Sequence, residues 1–223
     1  MIHLNNLSLQ LGRRQIFDQV SLDIQRGEFV YIVGASGTGK SSLLKLLYMD
    51  LKPDYGQIKI GEFESKNITK REIPHLRRHL GIIFQDFRLF EDRSVFDNVA
   101  FVLEVTGVKK KLITKKVSDA LSEVGLSQKR NEMPMHLSGG EQQRVVIARA
   151  IVREPYVIIA DEPTGNLDPK VAVDIMGLLK KINQRGITVL TVTHDYSLVQ
   201  KIPGRILQIK DGKIFDVALK KQM

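Results

Sequence analysis

The stretch FVYIVGASGTGKSSLLKLL, Phe29 to Leu47, leaves the chain few ways to fold. Five apolar residues in a row read as a strand buried at the centre of a sheet. They run directly into a glycine-rich turn, and an apolar-periodic helix follows. The turn completes the pattern G-x-x-x-x-G-K-[ST] with Gly34, Gly39, Lys40 and Ser41, in the strand–turn–helix context that a phosphate-binding loop requires. The residue types suit that chemistry. Over Gly34, Ala35, Ser36, Gly37, Thr38, Gly39, Lys40, Ser41 and Ser42, backbone N–H groups can converge on phosphate oxygens, and the helix N-terminus adds positive potential. Lys40 is placed to reach β and γ phosphates, and the Ser41 hydroxyl to ligate Mg²⁺.

The rest of the chain fits around this unit. IHLNNLSLQL and QIFDQVSLDI alternate apolar and polar residues and read as antiparallel strands with one solvated face; a turn at Arg26-Gly27 follows. KSSLLKLLYMDL reads as a helix with Pro53 just beyond its end, and GQIKI as a short strand. From about Asp86 to Glu154 the texture is helical, in SVFDNVAFVLEV, KKVSDALSEVGL and EQQRVVIARAIV. This predicts a helical subdomain inserted into an α/β core. Strand character returns with YVIIAD and TVLTVTHD. Between them VAVDIMGLLKKINQRG reads as an amphipathic helix closed by Gly186. RILQIKDGKIFDV reads as a hairpin turning at Asp211-Gly212, and the terminal ALKKQM as frayed.

Polar residues recur where apolar strands end. In YVIIADEP, Asp161 presents a carboxylate to a metal shell, and Glu162 can polarise a water for attack on a γ-phosphate. His194, after TVLTVT, is placed for a γ-phosphate contact, and Gln85, after GIIF, for Mg²⁺ and the attacking water. Ligands of open α/β sheets bind at the carboxyl ends of strands, which makes this recurrence meaningful.

A second phosphate-like turn lies at HLSGGEQQR, His136 to Arg144, without a second lysine of the Lys40 kind. Ser138 and Glu141 have the spacing of a capping box, so Gly139 and Gly140 open a helix whose free N–H groups form an anion site.

Taken in order, these motifs are similar to those of the ATP-binding cassette (ABC) ATPase family: Walker A at Gly34–Ser41, the Q-loop glutamine at Gln85, the signature LSGGE at Leu137–Glu141, Walker B at Val157–Asp161 with Glu162, the D-loop NLD ending at Asp168, and the H-loop His194. The resemblance covers nearly the whole chain. It implies one P-loop NTPase domain over residues 1–223, with an N-terminal antiparallel β subdomain in the core (1–85 and 155–223) and a helical signature subdomain (86–154). It implies hydrolysis of ATP with Mg²⁺ held by Ser41, Gln85 and Asp161. It also answers why a second anion site is needed. In the family the signature turn closes over the γ-phosphate held by another subunit, so Ser138, Gly139, Gly140, Glu141 and Asp168 belong to a head-to-tail homodimer that forms on ATP binding. One departure is Leu11, at the slot where the family stacks an aromatic on adenine; an apolar leucine can pack there, and use of GTP stays open.

Partner classes narrow as well. Net charge is +9, but the densest basic cluster, Lys109-Lys110-Lys111 with Lys115-Lys116, has no interleaved aromatics to stack bases, so nucleic acid is not an expected partner. A solvated helical face or nearness to anionic headgroups accounts for it. No run approaches the roughly 18 apolar residues of a membrane span, and there is no cysteine for disulfides or thiolate metal sites. The resemblance then implies a separate ATPase subunit, held peripherally at the cytoplasmic face of a bacterial inner membrane by an integral partner. ADEPTGNLDP and LSGGEQQRVVIARA are similar to the branch serving cell division, lipoprotein release and MacB-type export, and FQDFRLFEDRSVFDNV is nearest to the cell-division members. Phe87, Leu89, Phe90 and Phe96 are candidates for the partner's docking surface, with Phe87 and Leu89 preferred over Phe96.

Overall fold

The alternation of IHLNNLSLQL slips by one residue between Leu4 and Leu7, and the backbone answers the slip. In the computed structural model, which describes residues 1–218, β1 (Ile2–Leu11) pairs antiparallel with β2 (Arg14–Ile24), and the register shifts between Leu4 and Leu7. Asn6 takes up the extra residue with a left-handed φ of 48°, so Ile2, Leu4, Leu7 and Leu9 all stay buried. β4 (Tyr55–Ile60) and β5 (Phe63–Glu64) complete a four-stranded antiparallel sheet in the order β2-β1-β4-β5.

The second sheet has six strands in the order β10-β9-β3-β8-β7-β6. β3 (Phe29–Val33), β6 (Leu80–Ile83), β7 (Val157–Asp161), β8 (Thr188–Val192) and β9 (Arg205–Lys210) run parallel, and β10 (Lys213–Val217) returns antiparallel through the hairpin at Asp211-Gly212. All five residues of β3 are buried, and their alternation divides them between two cores. Phe29, Tyr31 and Val33 face the helices; Val30 and Ile32 face the antiparallel sheet. The core under the antiparallel sheet also takes α1 (Lys40–Leu47) through Leu43, Leu44, Leu46 and Leu47.

Between β6 and β7 the chain is helical: α3 (Val95–Val105), α4 (Lys110–Glu123) and α5 (Gly139–Ile151) pack on one another and continue the helix-side core. The remaining helices are α2 (Ile73–Arg78), α6 (Pro169–Asn183) and α7 (Tyr196–Lys201). Among the described residues no helix is long and apolar enough to cross a membrane. The expected fraying of ALKKQM falls, beyond Ala218, outside the described residues.

Several helix boundaries differ from the sequence reading; α4, for one, runs from Lys110 to Glu123 where KKVSDALSEVGL spans Lys115 to Leu126. α1 ends at Leu47, ahead of Tyr48-Met49-Asp50-Leu51, because Met49 turns left-handed (φ 56°) and Asp50 N–H closes on the Lys45 carbonyl at 2.8 Å. α6 starts at Pro169, before the expected Val171. Asp168 caps it, and proline is suited to the first helical position.

The segment after Gln85 has little regular structure and is held by side chains from the helices, Arg149 through the Phe87 and Arg88 carbonyls and Asn98 further on. Asn98, fully buried on α3, accepts from Phe90 N–H at 2.8 Å and donates to the carbonyls of Phe90, Arg93 and Ser94 at 3.0 Å each. Asn98→Ala would leave these groups without their partner. We expect it to lower unfolding free energy by about 1–3 kcal/mol in urea titration and to speed amide exchange at Phe90.

Candidate functional site

Because β3, β8, β7 and β6 are parallel neighbours, their carboxyl ends share one sheet edge, and most of the expected site residues collect there. Leaving β3, the chain turns over Gly34–Gly39 into α1. Gly39 has φ 109°, and a Cβ there would lie 2.6 Å from Ile16 Cγ2 and 3.2 Å from Phe17 Cζ. The loop is thus pressed onto β2, and only glycine fits. Phe17 is fully buried beneath it, a core position as its register suggests. The first turn of α1 has no side-chain cap, so its N–H groups are available to an anion. The Lys40 ammonium donates to the carbonyls of Gly34 and Ala35 at 2.8 and 2.9 Å.

Asp161 is the last residue of β7. Burial pushes its pKa up; the nearby Ser41 hydroxyl opposes this, Glu162 adds to it, and Lys40 and Lys45 oppose it. A carboxylate held above its ordinary range beside a hydroxyl and an ammonium is suited to gain from a cation. Glu162 follows in a left-handed conformation (φ 45°), unusual for a residue with a side chain, and its N–H donates to the Val192 carbonyl at 3.1 Å. Its Oε2 lies 3.2 Å from Nδ1 of His194, which is largely exposed. A Cβ on Gly165 would sit 3.4 Å from both Gln85 Nε2 and Glu162 Oε2, so Gln85, Glu162 and His194 converge around this glycine. Gln85 and His194 each stand two positions beyond the strand ends at Ile83 and Val192, not at them. Those extra positions let the side chains reach sideways to Glu162.

The second anion turn forms a separate cluster. Ser138 caps α5 in a full capping box: its hydroxyl accepts from Glu141 N–H at 3.4 Å, and its own N–H donates to Glu141 Oε2 at 2.9 Å. Glu141 also meets the Lys129 ammonium at 2.6 Å. A Cβ on Gly140 would lie 2.6 Å from Val171 Cγ1 on α6, and one on Gly139 would lie 3.3 Å from Leu167. Asp168 turns its carboxylate onto the N-terminus of α6, accepting from Lys170 and Val171 N–H at 3.1 Å each. Among the described residues, no hydrogen bond or ion pair joins this cluster to the Gly34–Ser42 loop of the same chain.

Leu11 is 41% exposed at the tip of the β1–β2 hairpin. Arg14, from the same hairpin, lies closer to the loop: its guanidinium is 3.5 Å from the position of a Cβ on Gly37. Sequence reasoning passed over Arg14 and Gly165; the basic pair directly after Gly12 was the one available signal for Arg14. Of the four apolar residues offered for docking, Phe87, Leu89 and Phe96 are all partly buried against the helical core. Burial does not separate Phe87 and Leu89 from Phe96; Phe90 is the exposed one of the four (37%), edge-on to Phe101 at 4.9 Å with Arg93 over both rings.

The capping box makes a pH prediction. Lys129, then the Ser138 N–H, hold the Glu141 carboxyl below its ordinary range. A depressed carboxylate contributes stability that is present above its unfolded pKa, about 4.3, and lost as pH falls through the folded value. We expect Glu141→Gln to lower the melting temperature at pH 7. The difference from the unmodified chain should close as pH falls below about 4.

Comparisons with known proteins identify the family. A family model described as ABC transporter matches residues 17–165. The chain is 44% identical to the cell division ATP-binding protein FtsE of Mycobacterium tuberculosis, over 96% of this chain and 94% of the relative. It is 49% identical to the FtsE of Bacillus subtilis, over 87% of this chain and 86% of the relative. Its fold superposes on a dimeric post-hydrolysis state of the ATP-binding cassette MJ0796 bound to ADP and Pi, with a TM-score of 0.84, 35% identity and 99% of each chain covered. Matched over this length, the chain belongs to the ABC transporter family, among its FtsE-like ATPases.

Proposed function

We propose that two copies of this chain close head-to-tail around two ATP molecules and relay the closure to an integral membrane partner of the FtsX kind. The complex would sit at the cytoplasmic face of the bacterial inner membrane and control cell-wall hydrolysis during division. The observation that carries the ATPase chemistry is the contact of Glu162 with His194 at 3.2 Å, beside Gln85 and on the sheet edge of the phosphate loop.

In this reading the loop N–H groups from Gly34 to Ser42 hold the phosphates, and Lys40 exchanges the carbonyls of Gly34 and Ala35 for β and γ oxygens. Ser41, Asp161 and Gln85 would hold Mg²⁺, which when bound offsets charge on the phosphate oxygens. The raised pKa of Asp161 beside Ser41 is what a cation site needs, so these residues fit the ion. Glu162 polarises the attacking water, and His194 fixes the carboxylate and faces the γ-phosphate. Leu11 packs on the adenine. Ser138, Gly139, Gly140 and Glu141 of one copy, with Asp168 nearby, close on the γ-phosphate of the other copy. The separation of the two clusters within one chain supports this division, as does the dimeric form of the MJ0796 cassette. The names of the FtsE relatives support the cell-division assignment.

Lys40→Ala should abolish ATP binding in equilibrium titration; unchanged ATPase activity would remove the loop from the mechanism. Glu162→Gln should keep ATP binding, lower turnover by about 100-fold or more, and accumulate a dimer on size exclusion with ATP. A variant that stays monomeric with ATP bound would argue against the two-copy site. Leu11→Tyr should tighten ATP binding by about 2- to 12-fold, the value of one aromatic stack of 0.5–1.5 kcal/mol. No gain would move the adenine elsewhere.

A further inference from the structure

The corner between α3 and α4 carries positive charge that the chain does not answer. Gly107 turns left-handed (φ 77°) and its N–H closes on the Glu104 carbonyl at 3.0 Å, so α4 follows α3 almost directly. α4 then buries Ile113, Val117, Ala120 and Leu121 against the helical core. Lys109, Lys110, Lys111, Leu112 and Lys115 are left exposed. Leu112 has 43% of its surface in solvent. Its neighbours on the helix are Lys109 three positions before, Lys115 three after and Lys116 four after, so an apolar side chain stands within a ring of ammonium groups.

Of these lysines, Lys116 has a partner: its ammonium meets Glu154 at 2.7 Å. Among the described residues, Lys109, Lys110, Lys111 and Lys115 make no ion pair and no side-chain hydrogen bond. The nearest carboxylates along the chain, Glu104 on α3 and Asp119 on α4, are exposed and pair with none of them. A helical face that is merely solvated mixes charges of both signs and keeps apolar residues off its centre. Here like charges stand in a row and a leucine lies among them. Such a face suits a boundary between water and hydrocarbon. Lysine stems lie along apolar surface while their ammonium groups reach polar headgroups, and a leucine between them enters the acyl layer.

We propose that the face of α4 formed by Lys109, Lys110, Lys111, Leu112 and Lys115 rests on a bilayer of anionic phospholipid. Charge complementarity supplies the attraction, and Leu112 selects a bilayer over a soluble polyanion, which offers an apolar side chain nothing. No aromatic is interleaved with the lysines to stack bases. The proposal rests on the membrane-side placement proposed above and adds a contact that the chain makes with lipid itself, without a protein partner. The attraction fades within a Debye length of the surface, so the contact acts once the chain is held close to the membrane. It also orients the molecule: the helical subdomain, which carries the Ser138–Glu141 turn, lies with α4 toward the lipid.

The test is flotation of the purified full chain with vesicles of phosphatidylglycerol and phosphatidylcholine, set against vesicles of phosphatidylcholine alone. Binding should require phosphatidylglycerol and weaken as salt is raised. Lys110→Glu, Lys111→Glu and Lys115→Glu together should lower it by roughly tenfold or more, and Leu112→Ser alone by roughly threefold. Glutamates at the start of α4 suit the helix dipole, so the triple variant keeps its fold, and ATPase activity of the isolated chain should be unchanged. Lys66→Glu, Lys181→Glu and Lys210→Glu together remove the same charge from three other exposed positions and should bind like the unmodified chain. Equal loss in that control would assign the binding to net charge and overturn the α4 face. Full binding by the α4 triple variant would overturn it directly. Full binding by Leu112→Ser, with heparin binding lost in the α4 triple variant, would make α4 a polyanion site and overturn the bilayer. In detergent, where no bilayer is present, the α4 triple variant should recover an FtsX-like membrane protein as the unmodified chain does; loss there would give the lysines to the protein partner instead. Failure of the unmodified chain to recover that protein would overturn the membrane-partner reading and leave the vesicle result standing.

Discussion

The site depends on the burial of β3 on both faces. An apolar strand with cover on one side only would expose half its residues; here Val30 and Ile32 are covered by the antiparallel sheet and α1, and Phe29, Tyr31 and Val33 by the helical layer. The same arrangement forces the neighbouring strands to run parallel, since each is reached by a crossover through one of the flanking layers. Parallel strands then deliver their ends, and whatever polar residues follow them, to a single edge. The gathering of Asp161, Glu162, Gln85 and His194 at one edge is therefore a by-product of how a two-sided core must be threaded.

At that edge, local strain and charge are held by contacts across strands. Glu162 tolerates a left-handed backbone because Val192 of the neighbouring strand and Gly165 of its own turn bond its main chain. Asp161 is kept half-buried among Lys40 and Ser41, which begin α1, and the adjoining Glu162. Both features cost stability in the chain alone. In the proposed site, phosphate and a cation would supply the missing charge balance.

Much of this was legible in the sequence. The phosphate loop, the Ser138–Glu141 capping box and the Asp211-Gly212 hairpin are local patterns, set by residues within a few positions of one another, and each was read from spacing alone. The bulge at Asn6 was not read from IHLNNLSLQL, whose alternation was followed without a break. The end of α1 was misjudged because Met49 has no turn preference, and only the closure of Asp50 onto Lys45 reveals it. Arg14 beside Gly37, Gly165 beside Gln85 and Glu162, and the exposure of Phe90 share one cause. Each depends on which distant surface a residue meets, and a single sequence carries no record of that.

The close fit of Gly140 against Val171 changes how variants of the LSGGE turn should be interpreted. A methyl group at Gly140 would wedge α5 away from α6 before any nucleotide arrived, so loss of activity there measures a jammed helix contact. Ser138, whose hydroxyl faces outward at the end of α5 and touches no second helix through its cap, separates the two effects. Strict glycine at this turn would be enforced by steric exclusion inside one chain even where no second chain ever approached.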